Sequence, residues 1–316
     1  MQSPLNIGVD VAKDHVVVAC AEVSFTPRSI RNSRTALSTW LRRLPAGSRI
    51  GLEATGSYHQ CLADLAHALG FAVLVLNPKD VHYYAKGLGR RAKTDRVDAE
   101  VIARYVAHEH QMLHAYVPPS PEQRLMEQLL RRRARLVSLR VALQATMAEL
   151  GSCRAQTEAV VRHLDALVVA LEAQLQRLLK QSQASRQAQQ RLQSIPGAGL
   201  IVGAGLSVAL QRLPFKSADA FVAFAGLDPR PRDSGKKVGR RKLSKRGAAE
   251  LRRLLFNAAM AGSRTKAWKP FYLRYRQRGL ATTEALIVLA RKIARTAWSV
   301  FYHQTTFDPA RLQALT

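Results

Sequence analysis

The chain has 316 residues, 49 Lys and Arg against 22 Asp and Glu, and a formal charge of +27. So basic a balance, with an isoelectric point near 11.1, points to a polyphosphate partner, with nucleic acid favoured over a membrane surface. The apolar run at 200–210 is too short to span a bilayer and the first residues lack a signal-peptide pattern. The isolated Cys20, Cys61 and Cys153 fit a reducing cytoplasm and argue against a zinc site.

This length predicts two domains joined by a helical element. Residues 5–12 (LNIGVDVA) and 16–21 read as strands joined by a turn at Lys13-Asp14, and a third strand is expected over 24–31. A helix over 35–43, a strand over 49–53, a helix over 57–69 and a strand over 71–76 follow. Three strands and then alternating helix and strand is the order of a ribonuclease-H-like α/β domain, an order many α/β layouts share.

The acids narrow it. Asp10 lies among apolar strand neighbours (Gly8-Val9-Asp10-Val11-Ala12), and Glu53 repeats the situation at the end of the fourth strand. A carboxylate in a buried-strand pattern needs a partner or a chemical role. Asp95 and Asp98 follow at a predicted helix start, one turn apart on one face. The plainer reading makes Asp95 an N-cap with Asp98 at N3, and lets Asp10 and Glu53 pair with arginines or helix amides. Together, four carboxylates from two strands and a helix are a ligand set for two Mg2+ ions acting on phosphorus. An actin-like sugar kinase also begins on an acidic strand, but no glycine-rich phosphate turn follows Asp10 here. His108-Glu109-His110 lacks metal-protease spacing and reads as a solvated helix end.

Residues 121–192 are nearly free of glycine and proline, and Leu129, Leu136, Leu143 and Leu150 recur every seven residues. That is coiled-coil spacing, expected to form a dimerisation arm rather than a hairpin packing on its own chain, with Arg131, Arg132 and Arg133 beside the seam. Ser194-Ile195-Pro196-Gly197-Ala198-Gly199 has the form of a helix-hairpin-helix turn, in which Gly197 and Gly199 let backbone amides approach a phosphate; a plain helix–helix turn fits too. Ser217 is expected to cap a short helix. The cation-rich loop that follows holds Ser234, Lys236, Lys237, Arg240, Arg241 and Lys242 between two apolar segments. Ser244 reads as the N-cap of the next helix. Helices over 250–260 and 283–301 supply the core of this part.

These motifs resemble the insertion-sequence transposases that pair a RuvC-like DEDD domain with a C-terminal serine domain, a group including Piv-type DNA invertases and bridge-RNA-guided recombinases. The resemblance rests on Gly8-Val9-Asp10-Val11-Ala12-Lys13, Leu52-Glu53-Ala54-Thr55-Gly56, Lys93-Thr94-Asp95-Arg96-Val97-Asp98-Ala99, Ile195-Pro196-Gly197-Ala198-Gly199, Phe224-Ala225-Gly226-Leu227 and Asp233-Ser234-Gly235. It implies an RNase H/RuvC-like α/β domain over 1–115, a helical coiled-coil middle over 121–192 and a mainly helical serine domain over 193–316. It also implies Asp10, Glu53, Asp95 and Asp98 as Mg2+ ligands, and Ser234 as the nucleophile toward DNA. A guide RNA, a homodimer or tetramer with acids and serine from different protomers, and a cytoplasmic, nucleoid-associated location belong to the same expectation. Two rivals stand beside it: a RuvC-like junction nuclease in which Ser234 only binds phosphate, and a non-catalytic nucleic-acid scaffold.

Overall fold

The structure, a computed structural model, describes residues 3–22, 28–54, 56–89, 94–231, 233, 234, 239 and 241–313. It comprises two compact units, Met1–Pro118 and Pro119–Thr316.

In the first unit, β1 (Asn6–Val11), β2 (His15–Cys20) and β3 (Arg28–Arg31) form a meander followed by α1 (Arg34–Leu41). Then β4 (Arg49–Glu53), α2 (Gln60–Ala68) and β5 (Ala72–Leu76) alternate, and α3 (Pro78–Gly87) and α4 (Asp95–Glu109) follow. The five-stranded sheet has the order β3-β2-β1-β4-β5. Its β1–β2 and β2–β3 pairs are antiparallel, and its β1–β4 and β4–β5 pairs are parallel. Alternation along β1 divides the two faces. Ile7, Val9 and Val11 enter one apolar cluster with Leu37 and Leu41 of α1 and Leu62 and Ala66 of α2. The other face takes α4, whose Ile102 and Val106 cluster with Leu74 and Leu76 of β5 and Val81 of α3.

The predicted strands and helices of this unit fall within a few residues of the observed ones. The third strand is observed as Arg28–Arg31, and 23–27 lie outside the described residues. Helix α3 was not anticipated, although Asn77 caps it, its side-chain oxygen accepting from the Lys79 amide, with Pro78 in the first turn.

The second unit is helical: α5 (Pro121–Met147), α6 (Arg154–Gln181), α7 (Gln183–Gln193), α8 (Leu200–Arg212) and α9 (Ala218–Phe224). A two-stranded ribbon, β6 (Pro229–Arg230) and β7 (Lys242–Leu243), precedes α10 (Ala249–Gly262), α11 (Lys269–Gln277), α12 (Thr282–Tyr302) and α13 (Ala310–Gln313). A capping box of Ser120 and Gln123 opens α5. α5 and α6 pair as an antiparallel hairpin, joined by ion pairs of Arg133 with Glu172 and Arg140 with Asp165. Near its base Met126, Leu129 and Leu130 meet Leu175 and Leu179, and all pack on Ala204 and Val208 of α8. Of the heptad leucines, Leu129 is thus packed within the chain. Farther along, Leu139, Val141, Leu150, Val160, Leu167 and Val169 are exposed, and Leu150 lies beyond the end of α5.

The larger core gathers Trp268, Leu255, Ala258, Leu289, Ile293 and Ala297 with Ile195, Leu206 and Phe221. Gly197, at φ +94°, lies against α10; a Cβ there would come within 2.4 Å of the Ala258 carbonyl oxygen and 2.8 Å of the Gly262 nitrogen. Its glycine is therefore required by helix packing. Among the described residues, no helix is long and apolar enough to cross a membrane.

Candidate active site

The acids are assembled by the sheet. Strands β1 and β4 run parallel, with Val9 opposite Leu52, so Asp10 and Glu53, each one residue on, stand side by side at the carboxyl ends of neighbouring strands. Ligands of open α/β sheets gather at that end. Pleating puts Asp10 on the same face as Gly8, and Glu53 on the same face as Gly51. That is the α4 face. A Cβ on Gly8 would lie 2.1 Å from the Ala99 carbonyl oxygen and 2.2 Å from the Ala103 nitrogen, and one on Gly51 would lie 2.2 Å from Val106 Cγ2. Two glycines thus let α4 press against the sheet. Ala99 and Ala103 sit over Gly8, so the preceding turn of α4, with Asp95 and Asp98, lies toward Asp10.

The electrostatics agree with this placement. Half-buried Asp10 is pushed up from 3.8 to about 6, first by burial and then by the charges of Asp95, Asp98 and Glu53, against a smaller lowering by the Val11 amide. The N-cap of α4 is Thr94, whose hydroxyl accepts from the Val97 amide at 3.3 Å, and not Asp95 as expected. Asp95 and Asp98 occupy the first turn, where the helix dipole favours negative charge. From β2, His15 Nε2 approaches Asp95 Oδ2 to 3.5 Å, a neighbour that sequence reading missed and that no spacing rule marks.

All four donors are hard carboxylate oxygens in mutual repulsion, a set that suits Mg2+ or another hard divalent cation. In this conformation they share a field without closing into a ligand cage: among the described residues, no group of three or more His, Cys, Asp or Glu side chains reaches metal-holding proximity.

The second candidate lies on the β6–β7 ribbon. At its foot the buried Ser244 hydroxyl donates to the Asp228 carboxylate and the Ser244 amide donates to the Asp228 carbonyl at 2.9 Å. Ser244 is therefore a brace for the ribbon and not the expected cap of α10, which begins after Ala248. Ser217 caps α9 as expected, accepting from the Ala220 amide. Exposed Ser234 occupies the connection between the strands. Its neighbour Asp233 accepts from Arg241 at 2.8 Å on each oxygen and from the Gly239 amide at 3.1 Å. The Arg241 hydrogen bond holds the Asp233 carboxyl below the usual carboxylate range.

Lys236, Lys237 and Arg240 lie outside the described residues, and Lys242 is exposed on β7. Arg131 and Arg132 face solvent on α5, whereas Arg133 is engaged with Glu172 at 2.6 Å. Gly199 stands at the N-cap of α8.

Comparison with known proteins places both units in one group. Residues 7–151 match the profile of the IS110-type DEDD transposase domain, and residues 189–274 match the transposase IS116/IS110/IS902 family. A pilin gene-inverting protein of Moraxella bovis is 29% identical over 318 residues, covering 96% of this chain and 97% of the relative. Its counterpart from Moraxella lacunata is 30% identical over 272 residues, 81% of each chain. A transposase for insertion sequence element IS1328 of Yersinia enterocolitica is 28% identical, covering 96% of this chain and 98% of the relative. The chain belongs to the IS116/IS110/IS902 family of transposases.

Proposed function

We propose that this chain is the recombinase of a mobile insertion sequence, cutting and rejoining DNA through a phosphoserine intermediate on Ser234. Asp10, Glu53, Asp95 and Asp98 would hold Mg2+, two ions when fully loaded. The observation that carries this reading is Asp10, held at about 6 by burial and by three neighbouring carboxylates. A structural acid would gain nothing from that company, whereas a cation site requires it. Bound Mg2+ would neutralise charge on the transferring phosphoryl group and on the leaving oxygen. The sheet order and the acids at its carboxyl edge support an RNase H/RuvC-like reading of the first unit.

The division of labour follows from the bond being exchanged. Hydrolysis would release the phosphodiester to water and leave a broken strand. Attack by Ser234 Oγ forms a Ser–O–P bond as the strand's P–O bond breaks, and the proton lost by the hydroxyl balances the one gained by the leaving oxygen. The phosphoester is conserved, so a new strand hydroxyl can reverse the step and rejoin the DNA without ATP. Asp233, fixed by Arg241 and the Gly239 amide, would order the backbone next to that hydroxyl.

The excess of basic residues supports nucleic-acid partners: DNA as substrate and, within the proposal, a bridge RNA as guide. Self-association through the exposed apolar residues of the α5–α6 hairpin and a cytoplasmic, nucleoid-associated location complete it. The test is denaturing-gel trapping of a protein–DNA adduct in Mg2+. Wild type is expected to form one, Ser234→Ala none, and Asp10→Ala neither adduct nor cleavage. An adduct in Ser234→Ala would overturn the serine step, and cleavage by wild type with no adduct would leave a junction nuclease. Cleavage by Asp10→Ala at wild-type rate would overturn the metal step. Sequencing RNA that copurifies with the chain tests the guide.

A further inference from the structure

The four carboxylates at the edge of the sheet repel the phosphates that the proposed reaction must bring to them. Charge opposes DNA at that edge until a cation is bound, so a contact that does not depend on charge is of use there. The connection between β4 and α2 supplies one. It leaves Glu53 at the carboxyl end of β4 and carries Tyr58 five residues on. Tyr58 is 44% exposed.

Hydrogen bonds hold this connection in place. Asn32, between β3 and α1, donates from Nδ2 to the Ala12 carbonyl at 2.9 Å and to the Tyr58 carbonyl at 3.3 Å. Its own amide donates to the Asp14 carbonyl at 2.9 Å. Ala12 lies two residues beyond Asp10, so Asn32 fixes the Tyr58 backbone to the end of the sheet where Asp10 stands. On the other side the Gln60 amide donates to the Ser57 carbonyl at 3.2 Å, leading into α2. Gly56 takes a φ of +52°, and a Cβ there would stand 3.9 Å from Tyr58 Cδ2 and 4.0 Å from Cε2. The ring is thus propped by one edge on the backbone of its own turn. The other exposed tyrosines already have ring partners: Tyr302 stacks on Trp298 at 4.9 Å and 9°, and Tyr83 tilts against His82 at 5.8 Å. Tyr58 rests on a glycine instead.

We propose that Tyr58 is a stacking platform for an unpaired DNA base, the neighbour of the phosphate that the four carboxylates receive. A tyrosine ring offers a large rigid surface at little entropic cost, and every base has a π face to lay on it. The base must be unpaired, because one inside a duplex has both faces covered. DNA is the occupant because these acids are read as acting on a DNA strand, and the inference rests on that reading. Stacking and cross-linking require no strand cleavage. A failure of the Ser234 adduct would therefore leave the inference standing, and its own failure would leave the adduct untouched.

The test irradiates the full chain, in Mg2+, with single-stranded oligo(dT) bearing one 5-iododeoxyuridine, and maps the cross-linked peptide by mass spectrometry. The cross-link is expected at Tyr58 and should persist, at the ring, in Tyr58→Phe. Tyr58→Ala should lose it and bind the oligonucleotide about 5- to 150-fold more weakly. The slope of log Kobs against log salt should stay at the wild-type value, because no phosphate contact is removed. Absence of a cross-link at Tyr58 in wild type, or wild-type binding by Tyr58→Ala, would overturn the proposal. So would a stronger cross-link to the matching RNA oligonucleotide, which would give the ring to RNA. Tyr58→Phe weakened as much as Tyr58→Ala would assign the contact to the hydroxyl and overturn stacking. Should Tyr58→Ala melt early, the wild-type map together with Tyr58→Leu, which fills space without a ring, decides the matter.

Discussion

The two units present their candidate chemistry on opposite kinds of scaffold. In the first, Asp10 and Glu53 end buried parallel strands, and the helix bearing Asp95 and Asp98 lies so close to the sheet that Gly8 and Gly51 have no room for a Cβ. In the second, Ser234 rides on an exposed connection between two-residue strands, secured at the foot by Asp228 and Ser244 and across its span by Asp233 and Arg241. Four mutually repelling carboxylates stay together only if packing holds them against their own field. A neutral hydroxyl needs no such restraint and gains from reach. Stiffness is spent where charge opposes assembly.

Replacing the closest glycine contact of the first unit should produce the largest of the effects considered. Gly8→Ala places a Cβ 2.1 Å from the Ala99 carbonyl oxygen, a backbone atom that cannot rotate away. It should cost about 3 kcal/mol or more by denaturant unfolding, at the upper end of overpacking effects. Gly87→Ala, with no atom within 4 Å of its Cβ, should be neutral or slightly stabilising. A cost below about 1 kcal/mol for Gly8→Ala would end the contrast in stiffness. In the helical unit Trp268 is fully buried and its Nε1 donates to the Pro196 carbonyl at 3.0 Å. Trp268→Phe should cost about 1–3 kcal/mol, by leaving that carbonyl without its donor and by under-filling the core.

Titration of Asp10 sharpens the comparison next. Its folded pKa, about 6, lies above the ordinary 3.8, so the folded state binds this proton more tightly than the unfolded chain. The associated stability is fully present below 3.8 and is lost as pH rises through about 6. Allowing for partial exposure, metal-free protein should lose roughly 1–2 kcal/mol across that window. Asp10→Asn should flatten the dependence, and Mg2+ should reverse it above pH 6. Thermal melts against pH, with and without the cation, measure all three. The smallest effect on stability belongs to the exposed pair across the ribbon: Asp233→Asn should leave the melting temperature unchanged. It should slow adduct formation by about 3–10-fold through lost positioning of Ser234. An unchanged rate would mean that the pair does not order the connection.

Much of the first unit was legible in the sequence because its strands are short apolar, largely β-branched runs, and the acids stood out as interruptions of those runs. Period-2 patterning even fixes which face Asp10 and Glu53 share. What covers that face was harder to foresee: α4 lies there because Gly8 and Gly51 admit it, and a lone strand glycine does not say which helix approaches. Thr94 supplanted Asp95 as the cap because its hydroxyl already satisfies the Val97 amide, leaving both aspartates on the helix proper. In the second unit the long amphipathic helices α10 and α12 were read from their apolar periodicity. The short α11 was not, because its sequence, KPFYLRYRQ, mixes arginine with aromatic residues that show no apolar stripe. Ser244 resembled a cap by composition alone; its real partner, Asp228, is sixteen residues earlier and is reached only by folding the ribbon.

One Arg241 nitrogen donates to both oxygens of Asp233, and this has a consequence for selectivity. The guanidinium already has an anion of its own, so an incoming phosphate must displace an internal competitor before it can use that group. A lone phosphate or a short acidic peptide offers too little in exchange, whereas a long polyanion that engages neighbouring cations at the same time can drive the swap. If the ribbon engages DNA as proposed, one carboxylate would set a threshold there against small anions.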